Sequence, residues 1–184
     1  MQQLHLDLSQ SATRATILSQ LLSAMTDDQR TCYDEAIAKL SVPDEHHHHL
    51  SDVLMAIESL NADEQVKLDM KGVYRILAEA EAAVHEVPVE EIHFHEVGNG
   101  SGILNAAKIC TAFWVLSPHQ VTCTPVQTGC GTIECAHGTL PIPAPATKAI
   151  LDNGIPLQEQ TLEGELCTPT SAAIISHFVT EFSE

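Results

Sequence analysis

Three prolines at alternate positions, Pro141, Pro143 and Pro145, constrain this chain more than any other feature. Each lacks a backbone N–H and fixes φ, so residues 139–147 can form neither a central strand nor the interior of a helix. The segment should run extended over a surface and start a helix over 146–151, which Asn153-Gly154 closes. The rest of the chain has to provide that surface.

Periodicity supplies the elements. Leu4, Leu6 and Leu8 alternate with polar residues, the two-residue period of a strand over 3–8. Residues 9–25 place Ile17, Leu18, Leu21, Leu22 and Met25 on one helical face, and a weaker helix follows over 28–40. The polar break at 42–49 reads as a linker. Beyond it come a helix capped by Ser51 and carrying Val53, Leu54, Ile57 and Leu60, and a second helix over 62–84 that Pro88 stops. Residues 90–97 (EEIHFHEV) read as a strand, and a glycine-rich turn leads into a helix over 103–116. Two strands, 120–127 and 131–135, joined through Thr128-Gly129, a strand over 156–160 and a helix over 169–182 complete the chain. Strands alternating with helices indicate an α/β fold, with α+β as the alternative. The expected architecture is a mixed sheet with flanking helices, preceded by a helical hairpin. Two parts are expected: a reduced strand–helix segment over 1–43 and the main domain over 44–184.

Composition limits the partners. The 184 residues are 44% apolar but only 4% aromatic, so the core must be built from Leu, Ile, Val and Ala. With 25 acidic against 8 basic residues, net charge −17, the chain lacks the Lys/Arg footprint of a nucleic-acid binder. The same field attracts cations and repels anionic membranes. No apolar run is long enough to span a membrane, and the start has no signal-peptide pattern, so a cytoplasmic setting is expected. The six cysteines, without a C-x-x-C pair, read as buried thiols or metal ligands.

Three constellations could carry chemistry. The run His46, His47, His48 and His49 lies inside the chain, and four imidazoles can hold Ni²⁺, Zn²⁺ or Cu²⁺ even on a loop; a solvated loop is the equal alternative. In a strand, His93 and His95 would project together while Phe94 faces the core, with Glu96 adding a carboxylate nearby. An exposed polar strand face is the other reading of H-x-H. Cys135 and His137 repeat the same-face spacing with a softer ligand pair, although packing of Cys135 in the core is favoured on spacing alone. Residues 163–170 end a loop at a helix start, where Thr168 or Thr170 would cap. No phosphate-binding loop, G-x-G-x-x-G pattern or G-x-S-x-G nucleophile elbow is present.

Together these motifs acquire a family likeness. The ordered stretches ILAEAE (76–81), VPVEE (87–91), HFHEVG (93–98), CAHG (135–138), LPIPAPAT (140–147) and GELCTPT (164–170) resemble the LarC family of nickel-insertion proteins across about residues 44–180. That resemblance implies a part in nickel-pincer cofactor synthesis. In that family Ni is inserted into a pyridinium bisthiocarboxylate mononucleotide, with metal–sulfur and metal–carbon bonds formed and CTP hydrolysed. It implies nickel gathering by residues 46–49, metal or substrate handling by His93, His95 and Glu96, and a secondary role for Cys135 and His137. Nickel is the expected metal, with zinc as the second choice. CTP is not expected on this chain alone, since the family's nucleotide site is assigned to a C-terminal domain expected to lie outside it. A separate chain carrying that half and a homo-oligomer both stay open as partners. The sequence departs from the family at Ser101 and Asn105, where an x-x-D-S-I-x-D pattern usually supplies aspartates, and in the family's glycine-rich start, of which Asp7 and Ser9 correspond. A non-catalytic nickel or zinc chaperone is therefore the alternative to an insertase.

Overall fold

A computed structural model describes residues 2–41, 49–94, 100–135 (backbone alone at Cys135) and 138–183. Strand β1 (Gln3–Leu6) leads to helices α1 (Arg14–Ser23) and α2 (Asp27–Ala38), then α3 (Leu50–Glu58) and the long α4 (Glu64–His85). A 3-10 turn (Val89–Glu91) precedes α5 (Gly100–Leu116) and β2 (Gln120–Cys123). The remainder comprises the hairpin strands β3 (Thr132–Cys135) and β4 (Gly138–Pro141), helices α6 (Pro145–Leu151) and α7 (Pro169–Phe178), and the short β5 (Glu181–Phe182). The α/β reading holds, with parallel and antiparallel pairing in two separate sheets.

Parallel strands in the order β1-β2-β5 form one sheet, with Leu4 opposite Val121 and Leu6 opposite Cys123. The alternation of β1 is recorded directly: Leu4, Leu6 and Leu8 are buried while His5 and Asp7 face out. Helix α5 is buried over most of its surface, and its Ala106, Ala107 and Ala112 let neighbouring backbones approach closely. It packs against α1, α2 and α4. A core of few aromatics is thus closed by small residues and by branched aliphatics such as Ile17, Ile103 and Ile150.

Local chemistry sets the helix ends. Thr13 caps α1, its hydroxyl accepting the Thr16 N–H at 3.2 Å, so the helix starts at Arg14 and residues 9–12 form a loop instead of a first turn. Thr26 and Gln29 make a reciprocal capping box on α2. Helix α3 starts two residues earlier than expected: His49, not Ser51, occupies the cap position. Helix α7 stops at Phe178, and Thr180 turns to the sheet, its N–H donating to the Val121 carbonyl at 2.9 Å. The expected helix tail over 179–182 is therefore loop and strand.

The proline segment behaves as its chemistry requires. Pro141 ends β4, which pairs only with β3 in a two-stranded hairpin, and Pro145 occupies the first turn of α6. Three strand expectations are corrected. The strands expected over 120–127 and 131–135 are shorter, Gln120–Cys123 and Thr132–Cys135, and lie in different sheets: β2 joins the parallel sheet and β3 the hairpin. Residues 156–160 make one isolated bridge, Leu157 to Val126, instead of a strand. The third correction, at 90–97, bears on the site.

Candidate metal centre

Residues 90–94 do not form a strand. After Pro88, Val89–Glu91 coil into a 3-10 turn, Ile92 leaves it extended, and residues 92–94 pair with no strand among the described residues. The alternation in the sequence reports burial, not pairing: Ile92 and Phe94 are each 2% exposed, while His93 is exposed. Phe94 is pinned by the fully buried Tyr74 of α4, the two rings meeting edge to face at 6.0 Å. This anchor fixes the direction in which His93 projects.

His93 meets His49. Their ring centres are 4.3 Å apart with the planes tilted by 52°. His49 is held from its own side: its backbone is extended at the cap of α3, and its N–H donates to the Asp52 carboxylate at 3.4 Å. Two imidazoles on one ion, with metal–nitrogen distances of about 2.0–2.1 Å, would place ring centres roughly 5 Å apart. A small adjustment of two half-free rings separates the observed pair from that arrangement.

The other expected ligands divide plainly. His46, His47, His48, His95, Glu96 and His137 lie outside the described residues, as does the side chain of Cys135. Among the described residues no three His, Cys, Asp or Glu side chains gather into a ready-made cage. Three of the other thiols are poor ligands for a physical reason. Cys110, Cys123 and Cys167 are buried, and desolvation raises their thiols, Cys123 and Cys167 to about 12, so they stay protonated near neutral pH. Cys130 is half-buried and Cys32 exposed.

Sequence reasoning missed a second group. His177 of α7 donates from Nε2 to the Asp69 carboxylate of α4 at 2.9 Å, and both line a cavity of about 410 Å³ with His119 and Trp114. Nothing in the spacing of these residues signals the pairing. The one local hint is Gly72 in the middle of α4, where a β-carbon would come within 2.5 Å of the His177 ring.

This is an α/β protein in which two imidazoles from distant segments stand ring to ring. The chain belongs to the nickel insertion protein family, whose model matches residues 5–184. It is 41% identical over 136 residues to the pyridinium-3,5-bisthiocarboxylic acid mononucleotide nickel insertion protein of Desulfitobacterium hafniense, covering 74% of this chain and 34% of that one. The protein of the same name in Staphylococcus epidermidis is 40% identical over 137 residues, 74% of this chain and 34% of its own. A provisionally named nickel insertion protein of Methanosarcina acetivorans is 37% identical over 180 residues, 94% of this chain and 46% of its own. The chain thus spans between a third and a half of the length of these relatives. No solved structure matches it. No helix among the described residues is long and apolar enough to cross a membrane.

Proposed function

We propose that this chain binds Ni²⁺ as cargo and delivers it to pyridinium-3,5-bisthiocarboxylic acid mononucleotide, acting as the N-terminal part of a nickel insertase. The observation that carries the reading is the His49–His93 pair, 4.3 Å between ring centres. His49 is the last of four consecutive histidines, and His93 opens the H-F-H-E run, so the contact joins the two histidine-bearing segments. In this reading residues 46–49 collect the ion, and His93, His95 and Glu96 receive it, with Cys135 and His137 in a secondary role. Imidazole nitrogens suit this task because they hold nickel while leaving it open to ligand exchange with softer sulfur. Zinc is the second ion such a ligand set accepts. The reading includes a cytoplasmic setting and a further chain or domain that supplies nucleotide chemistry.

A second reading, a carrier that does not itself insert nickel, is favoured by Ser101 and Asn105. They stand on the first turns of α5 where the family pattern has aspartates, which removes two charged acceptors. Calorimetric titration of the full chain with Ni²⁺ near pH 7.5 tests the shared core of both. Replacing residues 46–49 with Ala lowers the stoichiometry, and His93→Ala abolishes the tighter event. Titrations unchanged by either variant overturn the reading. Restoring Asp at 101 and 105, and assaying nickel transfer to the mononucleotide with any partner chain present, separates insertase from carrier.

A further inference from the structure

Strand β1 leaves one side of its backbone unused. It sits at the end of the β1-β2-β5 order, with β2 as its neighbour among the described strands. The carbonyls of Gln2, Leu6 and Leu8 accept from His119, Thr124 and Gln127 at 3.0, 3.1 and 3.0 Å, so the even-numbered residues face β2. Alternation turns the odd-numbered peptide groups the other way. Asp7 fixes that direction: its N–H donates to Gln20 Oε1 at 2.8 Å, and its carbonyl accepts from Gln20 Nε2 at 2.6 Å. The carboxamide of Gln20 thus occupies the place of a peptide group on an added strand.

Gln3 and His5 have no such cover. Among the described residues no hydrogen bond reaches the outward N–H or carbonyl of either one. Their side chains do not shield the edge, because both turn toward β2: His5 Nδ1 lies 2.9 Å from Thr122 Oγ1, and the Gln3 amide donates to Gln120. Charge narrows what can lie alongside. Residues 1–26 hold one acidic and one basic side chain, Asp7 and Arg14, so the net charge of −17 belongs to the remainder. Asp7 is itself engaged by the Ser9 hydroxyl at 2.6 Å. Helix α1, which flanks the edge through Gln20, carries no carboxylate, whereas α2, α3 and α4 all do. Two copies of so acidic a chain repel each other elsewhere and meet at least cost here.

We propose that this edge joins two copies of the chain, β1 of one running antiparallel to β1 of the other. The free groups are self-complementary. With Gln3 of one copy opposite His5 of the second, each residue donates and accepts in a hydrogen-bonded pair, as an antiparallel ladder requires. This register uses every free group of both residues, whereas Gln20 blocks the one that places Gln3 opposite Asp7. Leu4 then meets its own counterpart across the two-fold axis, on the buried side of the sheet, and the two three-stranded sheets become one. A contact this short, between chains of like charge, gives a dimer that dissociates on dilution and tightens with added salt. The dimer does not depend on the His49–His93 pair.

Sedimentation velocity of the full chain tests this, with EDTA present so that no metal bridges histidines. The 19.9 kDa chain should pass from monomer toward dimer over about 1–500 µM, the range of a weak contact. The midpoint concentration should fall at least about three-fold between about 20 and 300 mM NaCl, as repulsion is screened. Gln3→Pro and His5→Pro each delete an outward N–H without touching the β1–β2 ladder, and edge strands tolerate proline. Both should remain monomeric at the highest concentration, with circular dichroism and urea midpoints showing them folded. Deuterium exchange gives a reading that needs no variant: protection of the Gln3 and His5 amides should rise with protein concentration. A chain monomeric throughout, or a dimer that folded proline variants leave intact, overturns the proposal. So does a dimer in which those two amides gain no protection, or one that salt weakens, since it would rest on ion pairs that this edge lacks.

Discussion

His49 and His93 stand ring against ring, 4.3 Å between centres, although one caps α3 and the other follows the 3-10 turn after α4. Each is anchored by a neighbour, not by the other. Asp52 accepts the His49 N–H, and the burial of Ile92 and Phe94 on either side leaves His93 no inward direction. The pair is therefore a product of the core beneath it, and perturbing that core should be felt in metal binding.

Phe94→Ala tests that dependence. The substitution removes a ring that is 2% exposed and packed on Tyr74. We expect a loss of about 3–5 kcal/mol in urea unfolding and a weaker Ni²⁺ titration, although no ligand atom is removed. Phe94→Leu, which keeps most of the volume, should recover most of both. Undiminished nickel affinity in a destabilised Phe94→Ala protein would show that His93 does not need its anchor.

Two glycines should respond differently to alanine. At Gly129, φ is +76° and a β-carbon would lie 1.9 Å from the Gly164 carbonyl oxygen, so backbone must move. At Gly154, φ is +96° but nothing lies within 4 Å of the added atom. Gly154→Ala should cost about 1–2 kcal/mol of left-handed strain, and Gly129→Ala distinctly more, as read from denaturation midpoints at constant slope. Equal costs would mean that the Gly129–Gly164 contact relaxes freely.

The buried thiols make stability fall in alkali. Desolvation raises Cys123 and Cys167 from 9.0 to about 12, and Cys110 further still. The folded state thus keeps protons that the unfolded chain releases at lower pH. Their contribution is complete below about pH 8.5 and is lost as pH rises toward about 12. Urea midpoints should decline between pH 8.5 and 10.5, and the decline should be shallower in Cys167→Ala. A flat profile over that interval would contradict the burial of these groups.

Thr147 is fully buried on α6, and its hydroxyl has no hydrogen-bond partner among the described residues. An unsatisfied buried hydroxyl costs about 1–3 kcal/mol in desolvation, and valine has nearly the same shape without it. Thr147→Val should raise stability by about 1 kcal/mol in thermal or urea unfolding. A loss of stability would point to a partner that Thr147 finds in solution.

Elements with a local cause were the legible ones. The alternating leucines of β1, the amphipathic faces of α3 and α4, and the prolines flanking α6 each carry their reason within a few residues, and the helices begin within a few positions of the expected places. Errors arose where a pattern had two physical causes. Ile92-His93-Phe94 alternates because two of its side chains reach the core, yet it pairs with no strand among the described residues. At the site, the side chains of His46 to His48, His95, Glu96, Cys135 and His137 fall outside the described residues, while the contact of His49 with His93 could not be read from spacing at all. The same holds for His177 and Asp69, which α7 and α4 bring together across a sequence separation of 108.

The parallel sheet has a temporal consequence. Residues 3–6 take residues 120–123 as their neighbours, and β5 adds residues 181–182 on the other side of β2. During synthesis at about 5–20 residues per second, Leu4 and Leu6 emerge roughly 6–24 seconds before their partner strand exists. Helices α1 and α2 can form in that interval, but the alternating leucines of β1 have no sheet to belong to. Nascent chains are therefore most exposed to aggregation before β2 arrives, and delaying translation just ahead of residue 120 should lower the yield of folded protein more than a delay placed after it.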